Sequence, residues 1–265
     1  MVLLIAMPSI LLPGTSSDTI QTVALVALLA AVFTIVEYQS NYPSLVEFRD
    51  APPFNRVRFG ALFITVFALT LILRGETAPT TLTQLAAAAG HGIGQLIDFP
   101  YSPVRLIVLM LPEGASAHLV ERVRTAAGLS YLVSILSLGL FVVLLRLRGW
   151  PTRHKNFNVW VNLPTFDPTA GGDVVERLQR DSQVNLILGF LLPFLIPAFV
   201  KLASDYIDPI SMNNDSTLIW TVTAWAFLPA SLLMRGIALS RVADMISRQR
   251  ERASLSGKDG IIPAQ

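Results

Sequence analysis

One stretch constrains this chain more than any other. Gly128 to Leu145 reads GLSYLVSILSLGLFVVLL, eighteen residues without a charge. A helix needs roughly twenty residues to cross the hydrocarbon of a bilayer, and this run supplies nearly all of them. It stops abruptly at Arg146-Leu147-Arg148. A helix inside a soluble core can also be apolar on every side. Here, however, Ile20–Val36, Phe59–Leu73, Val184–Val200 and Thr217–Met234 have the same character. Together these runs predict an all-α fold, a polytopic transmembrane bundle of five spans with additional short interfacial helices.

Composition agrees with that class. The chain is 52% hydrophobic and 14% charged, where soluble domains carry about 25% charge. Its mean hydropathy is +0.56. There is no cysteine, which excludes disulfides, thiolate metal ligands and cysteine nucleophiles. A net charge of +2 is too small to suggest a nucleic-acid partner.

Local signals divide the chain further. Met1 to Leu12 is apolar but broken by Pro8, and it lacks a basic n-region or a cleavage site. It reads as a short interfacial or protein-packed segment. Ser17-Asp18 predict a cap for a helix from about Thr19 to Tyr38, with Glu37 near an interface. The 39–58 connection mixes Glu47, Arg49, Asp50 and Arg56 with Tyr42, Phe48 and Phe54. It reads as an ordered interfacial loop. The second apolar core, Phe59–Leu73, is short unless Val57 and Arg58 join it, the arginine then snorkelling.

Ala86 to Gly94 predicts a helix with a small-residue packing face, ending near Gly92 and Gly94. The 103–111 segment, bounded by Pro100, Pro103 and Pro112, is too short to span. It is expected at the bilayer surface or against the bundle, with a re-entrant segment as the alternative. Pro112-Glu113 is expected to open the third long helix. Asp173 should cap the helix leading into the fourth span, and Ser216 the fifth. Pro193 and Pro197 share one face of the fourth span, where they predict a kink and freed carbonyls that need partners. Pro229 predicts a bend in the fifth. Trp150, Trp220 and Trp225 suit an interfacial aromatic belt. The domain reading is one integral-membrane helical domain over 1–253, including a basic C-terminal helix, with 254–265 a disordered tail.

Charge predicts orientation. Five spans put the 39–58 loop, the 146–183 loop and the tail on one side. That side holds Arg49, Arg56, Arg58, Arg146, Arg148, Arg153, Lys155, Arg177, Arg180, Arg235, Arg241, Arg248, Arg250, Arg252 and Lys258. The other side holds Arg74, Arg105, Arg122, Arg124 and Lys201. The positive-inside rule then gives a multi-pass protein with its N-terminus outside and its C-terminus cytoplasmic; a bacterial inner membrane is the expected setting.

Chemistry is sparse. The three histidines, His91, His118 and His154, avoid the central parts of the spans, so no paired-histidine haem pattern is present. His91 and His118 are the candidates for holding a pigment, metal or substrate. With Asp98, Glu113 and Glu121 they make up a group of types used for metal binding and acid–base work, and local ion pairing is the simpler reading. No catalytic residue, metal site or cofactor is assigned. The chain lacks G-x-x-x-x-G-K-[ST], H-E-x-x-H and C-x-x-C-H.

Glu47, Arg49, Asp50 and Arg56 are candidates for binding a partner loop or lipid headgroups, weighed against mutual pairing. Trp150, Trp160, Arg248, Arg250 and Arg252 complete the interaction candidates. Apolar spans, small residues at Ala24, Ala27, Ala30 and Ala31, and docking surfaces in the loop and tail favour a structural, assembly or accessory subunit. Its setting would be a larger, energy-transducing complex, with membrane lipids and integral-membrane proteins as partners. A small-molecule or ion transporter and an enzyme acting on a lipid-like substrate are the alternatives. No intramembrane ionisable pair or inverted repeat points to transport.

Overall fold

A computed structural model describes residues 1–151, 157–167, 169, 171–203 and 212–259. Arg153, His154, Lys155 and the Trp160 side chain lie outside the described residues. The helices are α1 (Val2–Leu11), α2 (Ser17–Gln39), α3 (Phe54–Thr77), α4 (Thr81–Ile97), α5 (Pro103–Leu109), α6 (Ala117–Arg148), α7 (Val159–Asn162), α8 (Val174–Ala203) and α9 (Asp215–Asp259). Five of them, α2, α3, α6, α8 and α9, are long and apolar enough to cross a membrane. The chain is an all-α, multi-pass bundle whose five long helices coincide with the five apolar runs.

Side-chain caps set most of the helix starts, and several differ from the sequence expectation. Ser16, not Ser17-Asp18, caps α2, its Oγ accepting from Thr19 N at 3.2 Å. Ser116 caps α6 through Leu119 N at 3.1 Å, so Pro112-Glu113 lies before the helix. Asn214 takes the role expected of Ser216, its Oδ1 accepting from Thr217 N at 3.0 Å. In each case a polar side chain just ahead of the first turn satisfies an amide that the helix cannot. Asp173 does cap α8, through Val175 N at 2.8 Å.

The short segments pack against the bundle. Leu4, Met7 and Leu12 of the N-terminal segment join Val66 and Leu69 of α3 and Leu218, Val222 and Trp225 of α9 in one buried cluster. In α5, Val104 and Ile107 are buried against the same cluster. The α4 helix continues past Gly92 and Gly94 to Ile97. Gly94 is internal because α4 and α6 meet there. A Cβ on Gly128 would lie 2.5 Å from Gly94 Cα.

Among the described helices, α8 and α9 form the most extensive pair. A Cβ on Gly189 would lie 2.8 Å from Pro229 O, and one on Gly236 2.9 Å from Ser182 O. Ser182 Oγ donates to Gly236 O at 2.8 Å. Both helices run through their prolines, Pro193 and Pro197 in α8 and Pro229 in α9. Pro197 has no N–H, so the carbonyl of Pro193 four residues back loses its intrahelical donor. Trp225 Nε1 replaces it, donating to Pro193 O at 3.0 Å. Trp225 is therefore buried in the protein, stacked on Tyr131 at 5.8 Å, and is no belt residue.

A second buried cluster occupies the opposite end. Phe48, Phe54, Trp150, Leu163, Phe166, Leu178 and Leu239 bring the 39–58 loop, the 146–183 segment and α9 together. This is the basic end of the molecule. The other is the far end.

Candidate functional site

At the far end, the glycine crossing of α4 and α6 decides which polar groups meet. It sets His91 of α4 against Glu121 of α6, Nδ1 to Oε1 at 2.5 Å. The other ring nitrogen of His91 lies 2.9 Å from Gln95 Nε2. Glu121 also pairs with Arg124, whose Nε reaches Asp98 Oδ2 at 2.6 Å. Asp98 in turn holds Arg105 at 2.6 Å, with its carboxylate almost wholly buried. A second chain runs from Glu76 to Arg122 at 3.0 Å and on to Asp215. These are the local ion pairs that the sequence reading weighed against a reactive site.

The two chains flank a cavity of about 280 Å³. Leu69, Ile72, Leu73, Ala87 and Ala126 form its apolar floor. Glu76, His91, His118, Glu121 and Arg122 supply the charged and titratable groups. His118 makes no hydrogen bond or ion pair among the described residues and lies exposed on the lining. Glu113 does not belong here and faces a separate recess with Lys201. The network holds four carboxylates (Glu76, Asp98, Glu121, Asp215) against three arginines (Arg105, Arg122, Arg124). Among the described residues, no three His, Asp or Glu side chains are grouped to hold a metal ion.

Sequence reasoning named His91, His118, Asp98 and Glu121 but missed Glu76, Arg122, Arg124 and Asp215. A signal did exist. Arg122 and Arg124 lie in the first turns of a span, where each cation needs a counter-ion, and Asp215 opens the neighbouring span.

At the basic end three of the candidate interaction residues, Glu47, Arg49 and Trp150, turn inward, while Asp50, Arg56, Arg248, Arg250 and Arg252 are exposed. Glu47 accepts from Arg235 Nε and Nη2 at 2.6 and 2.8 Å and from Thr165 Oγ1 at 2.8 Å. Arg49 donates to the carbonyls of Glu37 and Ser40 at the end of α2 and pairs with Asp50 at 3.1 Å. Asp50 N donates to Asn162 Oδ1 at 3.1 Å. Phe48 is buried at φ 51°, in the left-handed region, with its N–H bonded to Asn162 O at 2.6 Å. A bulky residue there costs about 1–2 kcal/mol, which its packing against Phe54 and Trp150 offsets. Trp150 is 4% exposed, between Phe48 and Phe157, so it presents no aromatic surface.

Arg58 does not snorkel. Its guanidinium lies over the Phe54 ring at 4.8 Å. Arg250 pairs with Asp173 at 2.8 Å. Arg248 lines a recess with Arg146 and Arg241. Arg56 and Arg252 are exposed.

Helix α2 stands apart from this economy of contacts. It packs on α1, and among the described helices no other neighbour is comparable. Its far end is tied at Glu37, which is buried. The carboxylate accepts from the N–H groups of Ser44, Leu45 and Val46 and from Ser44 Oγ. Glu37 is thus a fixed acceptor for the next loop, where the sequence suggested an interfacial charge. Between the two anchors, Leu25, Leu28, Leu29, Val32, Phe33 and Val36 are all exposed. The less exposed positions, Val23, Ala27, Ala30, Ala31, Thr34 and Glu37, form one stripe at helical spacing. Most of the small residues therefore lie on the covered side, and the large residues face outward. Comparison with protein families, with curated proteins and with solved structures returns no match to this chain.

Proposed function

We propose that this protein is an integral accessory subunit, structural or assembly in role, of a larger complex in a bacterial inner membrane. The observation that supports it is α2. This helix is fixed at both ends, by α1 and by the Glu37 clamp, yet 6% of its apolar stretch is buried. Fixing a helix while leaving its length uncovered presents a rigid apolar face to the membrane. A partner helix can pack on such a face through van der Waals contact. The 146–183 segment carries less of the docking than its composition suggests, because Trp150, Leu163 and Phe166 are buried internally.

The proposal includes an N-terminus outside and a cytoplasmic C-terminus, supported by the clustering of basic residues at one end. The chain has no native thiol. Single cysteines at Thr80, Thr165 and Ser254 therefore report orientation directly. Thr80 should label from outside and the other two from inside. Labelling of Thr80 and Thr165 from one side contradicts the arrangement. The functional test is gentle native purification of the wild-type chain and of a Leu29→Ala, Phe33→Ala double variant. A partner of fixed stoichiometry with the wild type, lost from the folded variant, is the expected result. A homo-oligomer that is active without partners overturns the reading.

The far-end cavity favours a second reading, an enzyme acting on a lipid-like substrate. There the His91–Glu121 pair would act as the proton carrier above an apolar floor. Loss of an activity in His91→Gln with unchanged assembly would select it.

A further inference from the structure

We propose that the groove between α3 and α6 at the basic end is a binding site for one anionic phospholipid. The groove encloses about 410 Å³. Its walls are almost wholly apolar, with Val57, Ala61, Ile64, Leu136 and Leu140 among the lining residues. The hydroxyl of Ser137, a polar group of the wall, is already bonded to Ser134 O at 2.8 Å. The interior therefore asks nothing of its occupant but hydrocarbon.

The mouth is different. Arg56, near the start of α3, and Arg148, at the end of α6, both line the groove. Both are exposed, and neither makes an ion pair or hydrogen bond among the described residues. Among the described residues, no Asp or Glu lines the groove. Four other arginines of this end contrast with them. Arg49, Arg235 and Arg250 each have a carboxylate, and Arg58 has an aromatic ring. Two free guanidiniums above an apolar channel complement a phosphodiester with acyl chains below it.

Length agrees. The lining of α6 runs from Val133 to Arg148, roughly 22 Å at about 1.5 Å per residue. One leaflet of hydrocarbon is about 15 Å deep. The channel thus spans a headgroup region and the acyl layer beneath it.

Gly60 gives a clean probe. It lines the groove, and a Cβ built on it meets nothing within 4 Å. Gly60→Leu should fill the channel without disturbing the helices. Arg56→Gln with Arg148→Gln should remove the headgroup contact from two exposed positions. The full-length protein and both variants are purified in detergent and titrated with phosphatidylglycerol or phosphatidylcholine, with bound lipid read by native mass spectrometry. Wild type should retain phosphatidylglycerol in preference to phosphatidylcholine. The double arginine variant should lose about 30-fold of that preference, since each juxtamembrane arginine is worth roughly fivefold. Gly60→Leu should retain neither lipid at this site. Equal retention of both lipids by wild type overturns the proposal, as does unchanged preference in the arginine variant. If Gly60→Leu instead sheds a protein partner and keeps its lipid, the groove seats a helix and the proposal is wrong. Should Gly60→Leu fail to fold, the arginine variant alone decides the question.

Discussion

Helices α2 and α9 are both apolar enough to cross a membrane, but they are used in opposite ways. The share of the apolar stretch buried inside the protein is 6% for α2 and 56% for α9. Yet α2 is the more apolar of the two. Within a bilayer, hydrocarbon is as good a solvent for leucine as another helix is. Hydrophobicity therefore reports the medium, and it does not report the neighbour. The neighbour is set by features that cost something when unsatisfied, namely glycines that admit a backbone, freed carbonyls and partly buried charges. The α9 helix has all three. Along its length, between its anchors, α2 has none.

That contrast is most exposed to failure at the α8–α9 glycines. Gly236→Leu drives a side chain into Ser182 O and Leu186. Overpacking of this kind costs about 3 kcal/mol, and the hairpin should open, seen as a large fall in the thermal midpoint in detergent. Arg235→Gln comes next. It leaves the half-buried Glu47 without its cation, at about 2 kcal/mol after allowing for partial exposure. It should also loosen the 39–58 loop, read as faster proteolysis there. Trp225→Phe keeps an aromatic ring, though a smaller one, and removes the donor to Pro193 O. An unsatisfied buried carbonyl costs about 1–2 kcal/mol, a smaller fall in the same midpoint.

Asp173→Asn should have a smaller effect still, and a pH signature. The Val175 N–H, and then Arg250, hold the Asp173 carboxylate below the usual carboxylate range. A group whose pKa is lowered on folding stabilises fully above its unfolded pKa. That contribution disappears as pH falls through the folded value. Wild type and variant should thus differ at neutral pH and converge in acid. Smallest of all is Leu29→Ala with Phe33→Ala. Both side chains are exposed, so the isolated chain should change by no more than about 0.5 kcal/mol.

The same distinction explains what the sequence made legible. The five spans are readable because a charge-free run of bilayer length has few other uses. The helix starts are less so. Ser16, Ser116 and Asn214 each won over a nearby candidate, and the choice depends on which side chain reaches an amide. Trp150 and Trp225 look like belt residues in one dimension. Their burial follows from a partner at Phe48 and a carbonyl at Pro193, both far away in sequence. The far-end cavity was half legible. His91, His118 and Glu121 stood out as residue types. Their meeting rests on the contact of Gly94 with Gly128, which no periodicity announces. The Glu47–Arg235 pair, 188 residues apart, was out of reach for the same reason.

The most direct test of the central claim compares helix faces in the native membrane. A photo-activated cross-linking residue is placed at Leu29 or Phe33 on α2, and at Phe190 on α8 as control. All three positions are exposed in the isolated chain. The account predicts one discrete protein adduct from both α2 positions, in fixed ratio to this chain, and lipid adducts from Phe190. Lipid adducts alone from all three positions would contradict it.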